Sequence, residues 1–370
     1  MIKKTTKNKV RVIALYLPQF HPIPENDAWW GKGFTEWTNV GKAKPLFRGH
    51  NQPRVPADLG YYDLRVPETR IEQAELAKDA GIEGFCYWHY WFGNGKRLLE
   101  RPFNEVLTSG KPDFPFCLAW ANHSWKAKTW SPEGIDKVLI EQGYYGIQDY
   151  TDHFYEVLPA FLDERYIRIK NKPMFLIWDP DDFGEISLFI KLWNELAKKN
   201  GLEGIHFVAS ATKINDVDKF VVKGFNSVSL DLLLKSFQHR NILIKSWFRL
   251  LRSLCGIPKY MDYDGYSKYL IKNMPVLPEI FPSIVPNFDH SPRSGKYMLV
   301  LKNDSPSKFG IFLKSLFEMI SNKDPDTNIV ILRSWNEWAE GNYLEPDLKF
   351  GRSYIEVLKK ELSKINSNKL

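Results

Sequence analysis

The stretch "NIVILRSWNEWAEGNYLEP", residues 328–346, starts as an apolar run and breaks into acids and indoles. Ile329 to Leu332 are continuous aliphatic residues, the pattern of a strand buried on both faces. Behind them stand Glu337, Glu340 and Glu345 among Trp335, Trp338 and Tyr343. In parallel barrels the working residues sit at the C-terminal ends of strands. The stretch therefore asks whether the chain holds seven more runs of this kind.

Seven such runs precede it: Val10–Leu17, Gly84–Trp91, Phe116–Ala121, Met174–Trp178, His206–Ser210, Ser227–Leu230 and Ile280–Pro286. Helical patterns alternate with them. Pro67 opens a helix that Gly81 closes, with Ile71, Ala74, Ala77 and Ala80 on one face. Ile186, Phe189, Ile190, Trp193 and Ala197 repeat at helical spacing, as do Tyr354, Ile355, Leu358, Leu362 and Ile365. This alternation predicts an α/β chain folded as a single (β/α)8 TIM barrel. An open doubly wound sheet is the competitor, but no G-x-G-x-x-G follows the first strand. A minimal barrel needs about 250 residues. The surplus of the 370 residues is expected in long loops at 18–66, 122–150 and 232–279. No repeat or low-complexity linker divides the chain. One catalytic domain is expected over 1–370, with a basic tail at 1–9 and an inserted basic amphipathic segment at 232–279.

Hydrophobic residues make up 44% and charged residues 26%, as in an ordinary globular protein. Three cysteines, Cys86, Cys117 and Cys255, are too sparse for a disulfide framework and fit a reducing compartment. The opening "MIKKTTKNKVRVIALYLPQF" is basic, then briefly apolar, and carries Arg11, Tyr16 and Pro18. It reads as a first strand, not a signal peptide. No run approaches the roughly 20 apolar residues of a spanning helix. A cytoplasmic location is the expectation. The net charge of +7 invites nucleic acid, but no recognition module accompanies it, so no nucleic-acid partner is expected.

Aromatic content is more telling. Thirteen tryptophans and 15% aromatics sit largely beside polar residues, as in "AWWGKGFTEW" and "YWHYWFGNG". The strand ends deliver the same mixture. The first gives Tyr16, Gln19 and His21; the second, Trp88 and His89; the third, Trp120 and Asn122, with His123 and Trp125 following. The fourth gives Trp178 and Asp179; the seventh, Asn287 and His290; the eighth, Asn336, Trp338, Tyr343 and Glu345 around the two acids. Sugars present apolar C–H faces to indoles and hydroxyls to polar groups, so a carbohydrate site is expected. Work at a glycosidic bond usually takes two carboxylates, and Glu337 and Glu340 are the pair. They stand three apart, so a tight turn would aim both to one side. A second Glu-Trp pair, Glu36-Trp37, lies in the loop after the first strand. A closed barrel sets first and last strands side by side, which would bring Glu36 into the substrate shell. No close-spaced ligand motif predicts a metal, and no cofactor is expected.

Together "VIALYLPQFHPIPENDAWWGKGFTEWTNV", "GFCYWHYWF", "AWANHSW" and "RSWNEWAEGNYLEP" resemble the WbsX-type proteins over residues of about 10 to 360. These are named glycosyltransferases of O-antigen or capsule polysaccharide loci and are also described as glycoside hydrolase family 99-like. More distantly the chain is similar to the family 99 endo-α-mannosidases, whose N-E-W-x-E-G motif matches Asn336, Glu337, Trp338, Glu340 and Gly341. The resemblance implies that Glu337 acts as a base on the sugar 2-hydroxyl, giving a 1,2-anhydro intermediate. It implies Glu340 as general acid and then base, with net retention and no metal. Those mannosidases usually carry histidine where this chain has Ala339, so mannose specificity is not implied. Three functions stay open: hydrolysis or transglycosylation of a surface glycan, glycosyl transfer from an activated donor, and glycan binding without turnover. The only D-x-D match, in "DPDD" at 179–182, is a weak donor-site signal.

One segment stands apart. In 236–260, Trp247, Leu250, Leu251 and Leu254 share one helical face, and Lys245, Arg249 and Arg252 another. It reads either as a helix packed on the barrel with a solvated basic face or as a surface helix in peripheral contact with anionic membrane. The second reading suits a lipid-linked glycan substrate.

Overall fold

The computed structural model describes residues 9–127, 137–239 and 241–367. Most of the expected tail at 1–9, part of the loop at 122–150 and Arg240 of the basic segment lie outside them. Eight parallel strands form the barrel: β1 Arg11–Tyr16, β2 Gly84–His89, β3 Phe116–Trp120, β4 Lys172–Ile177, β5 His206–Ala211, β6 Ser227–Asp231, β7 Ile280–Ile284 and β8 Ile329–Leu332. Hydrogen bonding runs β3–β2–β1–β8–β7–β6–β5–β4, and β4 pairs back onto β3. Leu118 opposite Phe175 makes that closure. First and last strands lie side by side, with Arg11 opposite Ile329 and Ala14 opposite Leu332.

Each run named from the sequence is a barrel strand. Their continuous apolar character follows from position. One side chain in two faces the lumen and the next faces the outer helices, so neither face meets water. In β2 all six residues are buried. The expected helices form at Pro67–Asp79, Ile186–Lys199 and Ser353–Ser367. Trp193 of the second is fully buried against Phe175 of β4, centroids 4.9 Å apart, and against Phe189. Burying a large apolar side chain contributes roughly 1.5–3 kcal/mol, so this layer of rings holds the helix to the sheet.

The long loops carry structure of their own. Helices Pro24–Trp30 and Glu36–Lys42 lie in the loop after β1. The insertion after β6 holds helices Leu233–Gln238 and Ile242–Cys255, a strand Lys259–Asp262 and the helix Tyr263–Asn273. That strand pairs in parallel with Leu299–Lys302, outside the barrel. Cys86 and Cys117 are buried and form no disulfide. Among the described residues no helix is long and apolar enough to cross a membrane.

Candidate active site

Beyond β8 the chain is stitched to the end of β1. Trp335 N donates to Leu15 O at 2.7 Å. The Asn336 side chain accepts from Leu17 N at 2.7 Å and donates to Leu17 O at 3.0 Å. A two-residue strand, Asn336–Glu337, then pairs antiparallel with Asn342–Tyr343. Between them Trp338–Glu340 makes one 3-10 turn, closed by Gly341 at φ 50°. Asp289 N donates to Glu340 O at 2.7 Å and holds this turn against the loop after β7. The turn delivers Glu337 and Glu340 to the same cleft.

Trp88, Tyr90, Trp125 and Trp178 wall one part of that cleft, and Arg293 and Arg333 join the two acids in the other. Trp88 and Trp178 meet edge-on, 5.2 Å apart. The Arg333 guanidinium lies over the Trp178 ring at 5.4 Å, a contact that fixes both. The cleft is open to solvent on one side and has a volume of about 150 Å³.

The two carboxylates differ in their partners. Trp88 Nε1 donates to Glu337 Oε1 at 2.9 Å. Arg293 Nη1 donates to Glu340 Oε1 at 2.5 Å, with His290 Nε2 at 3.4 Å. Arg333 Nη2 lies 3.5 Å from Glu340 Oε2 while its Nη1 bonds Asp231. Burial pushes the Glu337 carboxyl up to about 8, the charge of Glu340 adds to this, and Arg293 and Arg333 only partly oppose it. Burial also works against ionisation of Glu340, yet Arg293, His290 and Arg333 outweigh it and hold that carboxyl well below the usual range. The pair titrates as a unit, with Glu337 pushed towards the protonated form and Glu340 towards the charged one.

The residues expected from the sequence divide sharply. Glu337, Glu340, Trp88 and Trp178 line the cleft, and His290 touches it through Glu340. Glu36 is fully buried one layer behind, its Oε1 accepting from Arg293 Nη2 at 2.6 Å. The two Glu-Trp pairs do converge, but through Arg293 and through Trp37 packing on Trp338 at 5.5 Å. Trp37 therefore supports the turn from behind, with its Nε1 bonded to Tyr62 O.

Other expectations are corrected by packing. His89 points away from the cleft and pairs with His153 at 2.8 Å. Trp120 is core, its Nε1 bonded to Trp91 O. Tyr16 faces the outer helix, where its hydroxyl donates to Gln73 at 2.6 Å. Gln19 and His21 are buried outside the cleft, and Gln19 O accepts from Glu36 N. Asn122 ties β3 to β4 by accepting from Asp179 N and donating to Asp179 O. Asp179 in turn accepts from Asp182 N. Asn287 clamps the backbone of Tyr343 in the same two-bond manner. Trp338 stacks on Tyr343 at 3.8 Å and donates to Glu345 at 2.6 Å. Glu345 also accepts from Tyr62 and Gln73 and so locks the turn. These residues, with Asn336, build the platform and do not touch the cleft.

Arg293, Arg333 and Tyr90 escaped the sequence reading as site residues. His123 and Trp125, noted there only as followers of the third strand, line the cleft as well. Arg293 sits in the short helix Ser291–Ser294, directly after the "PNFDH" run. Its place after a strand end was the available signal. Among the described residues no cluster of His, Cys, Asp and Glu could hold a metal ion.

Comparison with known proteins places this geometry. The chain is 34% identical over 377 residues to "Uncharacterized protein WxcX" of Xanthomonas campestris pv. campestris, in strains B100 and ATCC 33913. The match covers 95% of this chain but 50% of that protein, so the chain spans about half the length of these relatives. Among solved structures, the family 99 endo-α-mannosidase of Bacteroides thetaiotaomicron superposes with a TM-score of 0.56 at 14% identity, covering 97% of this chain and 98% of that one. A "Glycoside hydrolase-like protein" superposes with a TM-score of 0.60 at 14% identity, covering 97% and 95%. At such identity these neighbours establish the barrel fold alone. The model of the family described as "Glycosyltransferase WbsX" matches residues 12–358, and the chain belongs to that family.

Proposed function

We propose that the chain is a carbohydrate-active enzyme working at a glycosidic bond of a bacterial surface polysaccharide, by hydrolysis or transglycosylation. The observation that carries this reading is the pair of buried carboxylates in one tryptophan-walled cleft, driven to opposite protonation states. Pairs of acids whose environments pull them apart are the hallmark of acid–base division of labour. The indoles of Trp88 and Trp178 offer the apolar faces on which a sugar ring stacks. Residues 1–370 are read as one catalytic barrel, the location as cytoplasmic, and the glycan as lipid-linked and met at the inner face of the membrane.

The resemblance to the mannosidases supports Glu337 as base on the 2-hydroxyl and Glu340 as acid. The resting charges favour the reverse order, with Glu337 donating the proton and Glu340 supporting the anomeric centre. Under the first order, a sugar 2-hydroxyl donating to Glu337 must draw the shared proton over to Glu340, because a hydrogen bond to the charged form favours it. A substrate lacking the 2-hydroxyl separates the two: normal cleavage rules out the anhydro-sugar route.

Glycosyl transfer from a nucleotide sugar is the second reading, favoured by the family's description. Against it, Arg293 and Arg333 are already matched by Glu36, Glu340 and Asp231. Among the described residues of the cleft, that leaves no surplus positive charge for a diphosphate. Incubation of the protein with surface glycans, with and without nucleotide sugars, decides. Sugar release without a donor supports the proposal; product formation only with a donor replaces it by transfer; binding with no product replaces it by a lectin-like role.

A further inference from the structure

The helix Ile242–Cys255 shows its apolar side to solvent. Asn241 caps it by accepting from Leu243 N at 2.9 Å, and Gly256 ends it in the left-handed region. Along its length only Phe248 is buried, against Tyr260 at 4.8 Å and Phe237 at 6.0 Å. Leu243, Trp247, Leu250 and Leu254 recur at i, i+4, i+7 and i+11, one stripe of a helix. They are 74%, 57%, 49% and 74% exposed. Phe248 and the half-buried Leu251 pack this helix on the rest of the chain and Arg249 faces solvent, yet an apolar stripe faces solvent as well. The core takes Phe248, with Leu251 packed beside it, while Leu243, Trp247, Leu250 and Leu254 point away from it.

We infer that this stripe is an interfacial docking surface for an anionic phospholipid bilayer. Charge selects the occupant. Residues 232–261 carry Lys235, Arg240, Lys245, Arg249, Arg252 and Lys259 and no acid. A second copy of the chain would set like charges against each other, whereas an anionic leaflet attracts each of them. Fourteen residues at about 1.5 Å each give roughly 21 Å, too short to span a hydrocarbon core of about 30 Å. The helix therefore lies in the interface plane, with Trp247 at headgroup level. The insertion leaves the C-terminal end of β6, whose last residue, Asp231, holds Arg333 of the cleft. Docking would bring that end of the barrel to the lipid surface. The inference stands apart from the reaction proposed for the cleft.

The test is co-sedimentation of the full chain with phosphatidylcholine vesicles, with and without phosphatidylglycerol. Binding is expected to the anionic vesicles and to weaken with salt. The Trp247→Ser, Leu250→Ser, Leu254→Ser triple variant should lose at least about tenfold in partitioning, on the scale of buried apolar area. Lys245→Gln and Arg249→Gln should each lower it about fivefold; these exposed or half-exposed changes keep the test sharp should the triple variant fold poorly. No binding to anionic vesicles, or equal binding by wild type and variants, overturns the inference. So does a dimer in sedimentation velocity that the serine variant abolishes, since a second copy then covers the stripe.

Discussion

Arg293 and Glu340 meet at 2.5 Å, and the same guanidinium bonds Glu36 at 2.6 Å from its other nitrogen. One buried cation thus serves two buried anions, one in the cleft and one behind it. The arrangement explains why Glu340 stays charged where Glu337 does not.

Removing that cation should leave Glu36 buried and unmatched. Arg293→Met is expected to cost about 3–5 kcal/mol, the usual penalty for breaking a buried pair from one side. Glu36→Gln in the same background should recover part of it, because the orphaned charge is gone. Denaturant unfolding of the single and double variants reads this directly. Additive losses in the double variant would show that the two residues are not coupled.

The cleft acids carry the second expectation. Glu337→Gln and Glu340→Gln should each lower kcat by about 10²–10⁴, the range for a lost acid or base. Glu337→Gln should keep its melting temperature, whereas Glu340→Gln, which removes the anion facing Arg293 and Arg333, should melt lower while still folding. Near-normal turnover in either variant rejects the assignment.

The barrel was legible because parallel strands are apolar without interruption, and eight such runs left little choice. The acids were legible because they follow a strand end among indoles. Parity at the other strand ends was not. Trp88 and His89 are neighbours, so only one of them can face the cleft; the pleat turns Trp88 in and His89 out towards His153. Trp120 is lost to the core for the same reason. Arg293 was hidden by distance, since its partner Glu36 lies 257 residues away. For the helix Ile242–Cys255, periodicity defined the stripe but not the side on which the barrel would stand.

The shared proton should show in the pH profile. Below about 8 the Glu337 carboxyl keeps its proton, and above it both acids are charged. kcat/KM should therefore fall as pH rises through about 8, whichever residue donates during turnover. Trp88→Phe removes the indole donor that favours the charged form. It should move the alkaline limb to higher pH. A limb that stays put in Trp88→Phe would assign that titration to another group.

Gly341 is a backbone requirement. At φ 50° an added Cβ would stand 2.7 Å from Asp289 Cβ and 2.9 Å from Asp289 N, with backbone on the blocking side. Gly341→Ala should displace the turn that aims Glu340, at a cost of about 1–3 kcal/mol in strain. Activity should fall with little change in glycan affinity for sites that avoid Glu340. Wild-type activity and melting in Gly341→Ala would mean that the turn relaxes freely.

Glu345 links the platform to pH. Burial pushes its carboxyl up to about 7, against the bonds from Trp338, Gln73 and Tyr62. The folded protein then holds a proton that an unfolded glutamate, at about 4.3, has released. Its stabilising effect is complete below that unfolded value and is lost as pH rises through about 7. Glu337 acts with the same sign up to about 8. Buried histidines act oppositely: burial lowers His89 to about 3 and His206 to about 4. Their effect is complete above the unfolded value of about 6.5. Between about pH 6.5 and 8 the carboxyls therefore dominate, and melting temperature should decline. Glu345→Gln keeps a carbonyl acceptor but has no proton to lose, while its amide nitrogen must oppose one donor, either Gln73 at the Oε1 position or Trp338 at the Oε2 position. It should melt lower at pH 6.5 and decline less steeply towards pH 8. Parallel melting curves for the two proteins across that window would remove Glu345 from the account.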